Sequence, residues 1–215
     1  MIRTKSMLKN FLEEDKRVFY EYINNNFKSS LFLKLTKDHL FEIRKYIVLL
    51  RKTQYYYYKK ENVMGGYKHY FYIIIYIYYT YRKNRVGNKL GFYIPASTDI
   101  GKGLLIYHHG GLIINGTAKI GDFAKFHGNN CIGNSGNDMK APIVGDDVEF
   151  GYGASAIGNI KIDSGAVIGA GAVVVHSTDK ENQILIGVPA TRKDKKFWFF
   201  VAEIYFCGMA MNRII

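Results

Sequence analysis

The sequence predicts a mainly-β fold: a left-handed parallel β-helix of six-residue repeats, preceded by an α-helical region and followed by a C-terminal helix. Three observations carry this. Bulky apolar residues recur every six positions, at Ile94, Ile100 and Ile106, then at Ile114, Ile120, Phe126 and Ile132, then at Val144, Phe150, Ala156, Ile162, Ile168 and Val174. Glycine follows many of them, at Gly101, Gly121, Gly133, Gly145, Gly151 and Gly169, and a small residue stands four places on at Ala118, Ala124, Ala154, Ala166 and Ala172. A beat of six matches neither the helical nor the strand period. It matches a three-sided coil in which each face takes six residues and each turn stacks on the last. The repeated aliphatic residue points inward, and the glycine after it is expected to let the chain round the corner without Cβ strain.

The frame breaks twice. Two extra residues lie between Ile106 and Ile114, in the stretch Tyr107-His108-His109-Gly110-Gly111. Between Ile132 and Val144 the frame holds, but Asn134 to Pro142 has loop chemistry where a repeat is due. Loops thrown out from a rigid coil are where sites are built.

The remainder divides by composition into a basic, tyrosine-rich helical region over residues 1–90, the coil over 91–193, and an apolar helix or tail over 194–215. Leu8, Phe11, Leu12, Asp15, Val18, Phe19 and Tyr22 form one rough helical stripe, and Leu40, Ile43, Ile47 and Leu50 another. Tyr55 to Tyr58 and Tyr67 to Tyr81 follow, flanked by Lys59, Lys60, Arg82, Lys83 and Arg85. Aromatic residues beside cations suit a helix lying at a membrane interface, and equally one packed on the coil or on a neighbouring subunit. Tyr70 to Tyr81 is too short to span a bilayer, which needs about 20 apolar residues. Residues 1–93 hold 19 Lys and Arg against 7 Asp and Glu, so the whole net charge of +12 lies there. Such a field favours an anionic partner. The charged stretch Met1 to Glu14 is not a signal peptide, and Cys131 and Cys207 are too few for a disulfide framework.

The segment from Gly101 to Asn115, with Tyr107-His108-His109-Gly110-Gly111 at its centre, resembles the active-site turn of serine acetyltransferases and their capsule-polysaccharide O-acetyltransferase relatives. Phe150 to Gly158, Ile168 to Val173 and Gly187 to Ala190 are similar to the acetyl-CoA-binding coils and closing loop of those enzymes, and the resemblance covers roughly residues 90–193. It implies His108 as general base, because a hydroxyl attacking a thioester must lose its proton and an imidazole titrates near working pH. It implies Tyr93, Tyr107, His109 and His127 around the acceptor. It implies acetyl-CoA as co-substrate along Gly133, Tyr152, Gly153, Ala154, Ala170 and Gly171, with Arg192 and Lys193 near the 3′-phosphate. His39, His69 and His176 are read as surface residues.

Four departures qualify the resemblance. Where it calls for two aspartates the chain has Tyr107 and Tyr93; a glutamate becomes Gly116, and an Arg-His pair becomes Lys140-Ala141. Those positions grip the ammonium and carboxylate of free serine. The expected activity is therefore O-acetylation of a sugar hydroxyl in a capsular or other surface polysaccharide, with an acidic glycan as acceptor, a homotrimer as the assembly, and no metal or nucleic acid. The expected address is the cytoplasm or the inner face of its membrane, with possible peripheral contact through the N-terminal region. The alternatives are serine O-acetylation and a non-catalytic trimeric scaffold. A zinc hydratase of the γ-carbonic anhydrase kind would need His108, His109 and His127 on one metal, although adjacent residues of a coil point to opposite sides.

Overall fold

The computed structural model describes residues 1–23, 27–36, 38–136 and 138–193. The helix expected over 194–215 lies outside them. Four helices come first: α1 (Lys5–Tyr22), α2 (Phe27–Leu35), α3 (His39–Asn62) and α4 (Gly66–Leu90). Thr4 caps α1 by accepting from Met7 N at 3.1 Å, and Asp38 caps α3 by accepting from Leu40 N at 2.8 Å. Gly91, in the left-handed conformation at φ 76°, ends α4 and starts the coil.

The coil has three parallel faces. The first stacks β1 (Phe92–Tyr93), β4 (Leu112–Ile114), β7 (Asn130–Gly133), β10 (Ser155–Ile157) and β13 (Val173–Val174). The second stacks β2 (Asp99–Ile100), β5 (Lys119–Ile120), β8 (Ile143–Val144) and β11 (Lys161–Ile162). The third stacks β3 (Leu105–Ile106), β6 (Lys125–Phe126), β9 (Glu149–Phe150), β12 (Val167–Ile168) and β14 (Ile184–Ile186), with β15 (Thr191–Lys193) antiparallel on its end.

The six-residue beat sets the register. Ile100 lies on Ile120, then Val144, then Ile162; Ile106 lies on Phe126, then Phe150, Ile168 and Leu185. All of these side chains are buried, and the Phe126 and Phe150 rings stack at 5.1 Å and 15°. Because Ile120 and Val144 are direct partners, the long interval from Ile132 to Val144 is a loop inserted between the first and second faces.

The glycines act differently from expectation. Gly101, Gly121, Gly133, Gly145, Gly151 and Gly169 have no positive φ. Most of them are needed for space: a Cβ on Gly121 would stand 2.6 Å from the Gly145 carbonyl carbon, and one on Gly151 would stand 2.7 Å from Ala170 N. Stacked corners, not dihedral freedom, select glycine there.

A buried polar knot clamps the helices to the first turn. Arg51, wholly buried, donates from Nε to Asp15 Oδ2 at 2.8 Å and from Nη1 to Ile100 O at 2.8 Å, while Leu104 N donates to Asp15 Oδ1 at 2.9 Å. Removing one partner of such a pair strands the other charge, at a cost of about 3–5 kcal/mol. Gln54 adds a bond to Thr98 O at 2.8 Å, and Lys83 another to Ile94 O at 2.6 Å. Between α3 and α4 the rings of Tyr56 and Tyr79 stack at 5.3 Å and 8°, so part of the tyrosine-rich sequence is the seam of a helical hairpin.

Burial holds the Lys83 ammonium down to about 8, from an ordinary 10.5. Between pH 8 and about 10 the unfolded chain keeps a proton that the folded chain has lost, so Lys83 makes stability rise with pH across that window. Urea unfolding of wild type and Lys83→Met at several pH values should show wild type gaining on the variant from pH 8 upward. Parallel curves would contradict this.

Candidate active site

The two-residue insertion after Ile106 falls where the third face meets the first, and every later coil passes the same edge at residues 127–129, 151–153 and 169–171. Backbone bonds tie these corners into a column: Asn130 N donates to Gly111 O at 2.9 Å, Gly153 N to Gly128 O at 3.0 Å and Gly171 N to Tyr152 O at 2.8 Å. Asn130, buried, braces the column by accepting from Gly128 N at 3.0 Å and donating to Gly151 O at 2.8 Å and Ala154 O at 3.0 Å. Gly128 has φ 114°, and a Cβ there would stand 3.4 Å from His108 Cβ, so glycine lets the inserted corner lie directly on the next coil.

His108 is half-buried at this edge. Burial pushes its imidazole below the ordinary histidine range, and His39, His127 and His109 push it the same way. These influences favour the neutral ring, the state a general base requires.

His127 is held where the sequence placed it, one coil along, but by a partner the sequence reading missed. Its Nε2 lies 2.7 Å from Glu149 Oε1. That bond, more than any other influence, holds the Glu149 carboxyl below the usual carboxylate range, against its own burial. The Tyr107 ring stacks on His127 at 4.3 Å and 23° and meets Tyr22, the last residue of α1, edge-on at 4.9 Å. Burial first, then Glu149, Tyr22 and Asp147, push the Tyr107 hydroxyl up to about 12. An imidazole–carboxylate pair therefore exists at this edge, on His127 and not on His108.

His39 corrects the sequence reading. It is not an isolated surface residue: at the start of α3 it brings its ring to 6.1 Å from His108 and 5.3 Å from His109. His69 bonds Val63 O at 2.8 Å, and His176 is exposed. Nothing periodic joins a helix start to a coil corner, so His39 carried no sequence signal. Glu149 did carry one, since Lys125 and Glu149 share a register position just outside the inward Phe126 and Phe150.

Tyr152, Ala170 and Gly171 are exposed along the edge, and Gly153 is partly so. Ala154 is not: its side chain is fully buried, its N–H donates to Gly151 O at 3.0 Å and its carbonyl accepts from Asn130, so it offers no free group to a ligand. Gly133 ends β7 on the first face, and Tyr93 stands exposed on that face beside Ile113. Arg192 and Lys193 are exposed on β15. The inserted loop is anchored near the edge of the second turn by Asn115 Nδ2 to Asn134 Oδ1 at 3.2 Å and Thr117 Oγ1 to Met139 O at 2.9 Å. Among the described residues no group of three or more His, Cys, Asp or Glu side chains is arranged to hold a metal.

Comparison with known proteins gives a consistent neighbourhood. No family model matches the chain. It is 36% identical over 101 residues to a serine acetyltransferase of Staphylococcus aureus (strain Mu50 / ATCC 700699), covering 46% of this chain and 47% of that protein. It is 33% identical over 110 residues to Serine acetyltransferase 4 of Arabidopsis thaliana, covering 50% of this chain and 31% of that protein. The chain thus spans about half the length, or less, of the curated relatives it matches. Among solved structures, soybean serine acetyltransferase apoenzyme superposes with a TM-score of 0.64 at 23% identity, over 86% of this chain and 69% of that one. The Neisseria gonorrhoeae serine acetyltransferase in complex with serine gives a TM-score of 0.64 at 25% identity, over 87% and 69%. These likenesses establish the left-handed coil with its N-terminal helices.

The histidine cluster makes a measurable demand. In an NMR titration the His108 ring should titrate below about 6.5. His39→Ala should raise that midpoint, since it removes cover and a neighbouring ring that pushes the His108 imidazole down. A wild-type midpoint at or above the ordinary value would contradict the geometry.

Proposed function

We propose that this chain is an acetyl-CoA-dependent O-acetyltransferase of the serine acetyltransferase kind, with His108 as its general base. The observation that carries the reading is the edge itself: a half-buried imidazole with a lowered pKa on an inserted corner, above a column of stacked glycine-bearing corners. The residues present fit the co-substrate. Tyr152, Ala170 and Gly171 offer a low strip for an extended arm, and Arg192 with Lys193 offers cations to its phosphates. Acetyl-CoA supplies the activated acyl group when bound.

His108 takes the proton from the acceptor hydroxyl as its oxygen attacks the thioester carbonyl, and returns it to the departing thiolate. Direct transfer of this kind needs no covalent enzyme intermediate. The His127–Glu149 pair, wedged by Tyr107, orients the acceptor. A neighbouring copy supplies the other wall of the slot, which makes the working form a homotrimer. A cytoplasmic address, where acetyl-CoA is made and used, goes with this reading.

The comparisons favour a serine hydroxyl as acceptor, since the relatives reported above are serine acetyltransferases and none is a polysaccharide enzyme. The expected capsular or surface glycan finds no support among them. One local feature keeps a sugar hydroxyl as the second reading. Tyr93 and Tyr107 stand where the resemblance calls for carboxylates, so those positions offer no negative charge to a substrate ammonium.

Thiol release from acetyl-CoA, measured with free L-serine, neutral sugars and acidic glycans, separates the two acceptors. His108→Ala should lower the rate by about 10²–10⁴, and the acid limb of kcat/KM for wild type should fall below about pH 6.5. Equal rates for wild type and variant would remove His108 from its role.

A further inference from the structure

We infer that the exposed face of α4 docks on an anionic lipid surface. Seven large side chains of this helix, Tyr67, Tyr70, Phe71, Ile74, Ile77, Tyr78 and Tyr81, are each more than half exposed. At 100° per residue they fall within an arc of about 120°, and they run for roughly 21 Å along the helix. The opposite side of α4 is already used, packed on α3 through pairs such as Tyr56 with Tyr79 and Tyr57 with Tyr76. The outward stripe is therefore a second, solvent-exposed apolar face of the hairpin.

Charge decides the occupant. Helix α4 contains Lys68, Arg82, Lys83, Arg85 and Lys89 and no acidic residue. Lys83 is turned inward to Ile94 O, whereas Arg82, Arg85 and Lys89 are exposed just past the C-terminal end of the stripe, and Lys68 is exposed beside its first turn. A second copy of the same stripe laid parallel would set cations against cations, and laid antiparallel it would bring them no carboxylate, since α4 has none. A phosphate-bearing surface meets the same pattern with opposite charge, at about 1 kcal/mol for each cation brought near it. The aromatic content agrees: four of the seven are tyrosines, whose rings suit the acyl boundary while their hydroxyls stay among the headgroups. No described helix is long and apolar enough to cross a membrane, so α4 would lie in the surface plane. Hairpin docking of this sort is independent of acetyl transfer.

Flotation of the full chain with vesicles tests this. With vesicles of equal parts phosphatidylcholine and phosphatidylglycerol the wild type should float, with phosphatidylcholine alone it should stay behind, and added salt should weaken binding. The double variant Ile74→Asp with Ile77→Asp should bind at least about tenfold more weakly with an unchanged melting temperature. Arg85→Glu with Lys89→Glu, which leaves the apolar stripe intact, should do the same. The His108→Ala protein should float as wild type does. Absence of wild-type flotation, or flotation of either double variant as strong as that of wild type, would overturn the proposal. So would a wild-type assembly that shrinks in the Ile variant, by light scattering, with no vesicle binding: that result would assign the stripe to a second copy.

Discussion

Everything at the candidate site depends on one constraint: each coil must hydrogen-bond to the coils on either side, in a register fixed by stacked Ile, Phe and Val. Once Ile106, Phe126, Phe150 and Ile168 are superposed, the corners that follow them are superposed too. A two-residue insertion at one corner then has a determined neighbour, the Gly128 corner of the next coil. The site is thus a property of the stack. Loosening the stack at Phe126 or Phe150, where truncation of a buried ring typically costs about 3–5 kcal/mol, would move the histidines before it touched them. The buried Arg51–Asp15 knot extends the same rigidity to the helices, and so to Tyr22 and His39, which lean on the edge from outside.

The edge departs in its electrostatics from what its resemblance implies. Aromatic residues stand where carboxylates are called for, and a carboxylate lies two coils along, at Glu149, where it holds His127. His108 is biased toward its neutral form by burial and by three neighbouring imidazoles, with no acidic partner among its described contacts. A neutral base beside an ordered His–Glu pair can still accept a proton from a hydroxyl. It has lost the acidic positions that would hold an ammonium. This placement of the carboxylate is why the comparisons and the local geometry pull toward different acceptors.

Much of this was legible in the sequence. The beat of six predicted the stacked inward residues from Ile100 to Val174, though not Leu112, Asn130 or Leu185, and its break at Tyr107 marked the corner that carries His108. Both follow from a repeat whose side chains have one way to be buried. What was not legible came from contacts that no period encodes. His39 reaches the corner from a helix, Ala154 proved to be wholly interior, and the repeated glycines answer to steric crowding between corners instead of to dihedral freedom. The tyrosine-rich helices divided in two: some rings form the α3–α4 seam and others face outward, a split that composition alone did not resolve.

The central claim, that the inserted corner delivers an imidazole to the slot where a thioester lies, is tested most directly by a crystal structure of the assembled protein with coenzyme A. The account predicts the pantetheine arm along Tyr152, Ala170 and Gly171, with its sulfur about 3–4 Å from a His108 ring nitrogen. Coenzyme A seated along a different edge, or a His108 ring turned away from the sulfur, would contradict it.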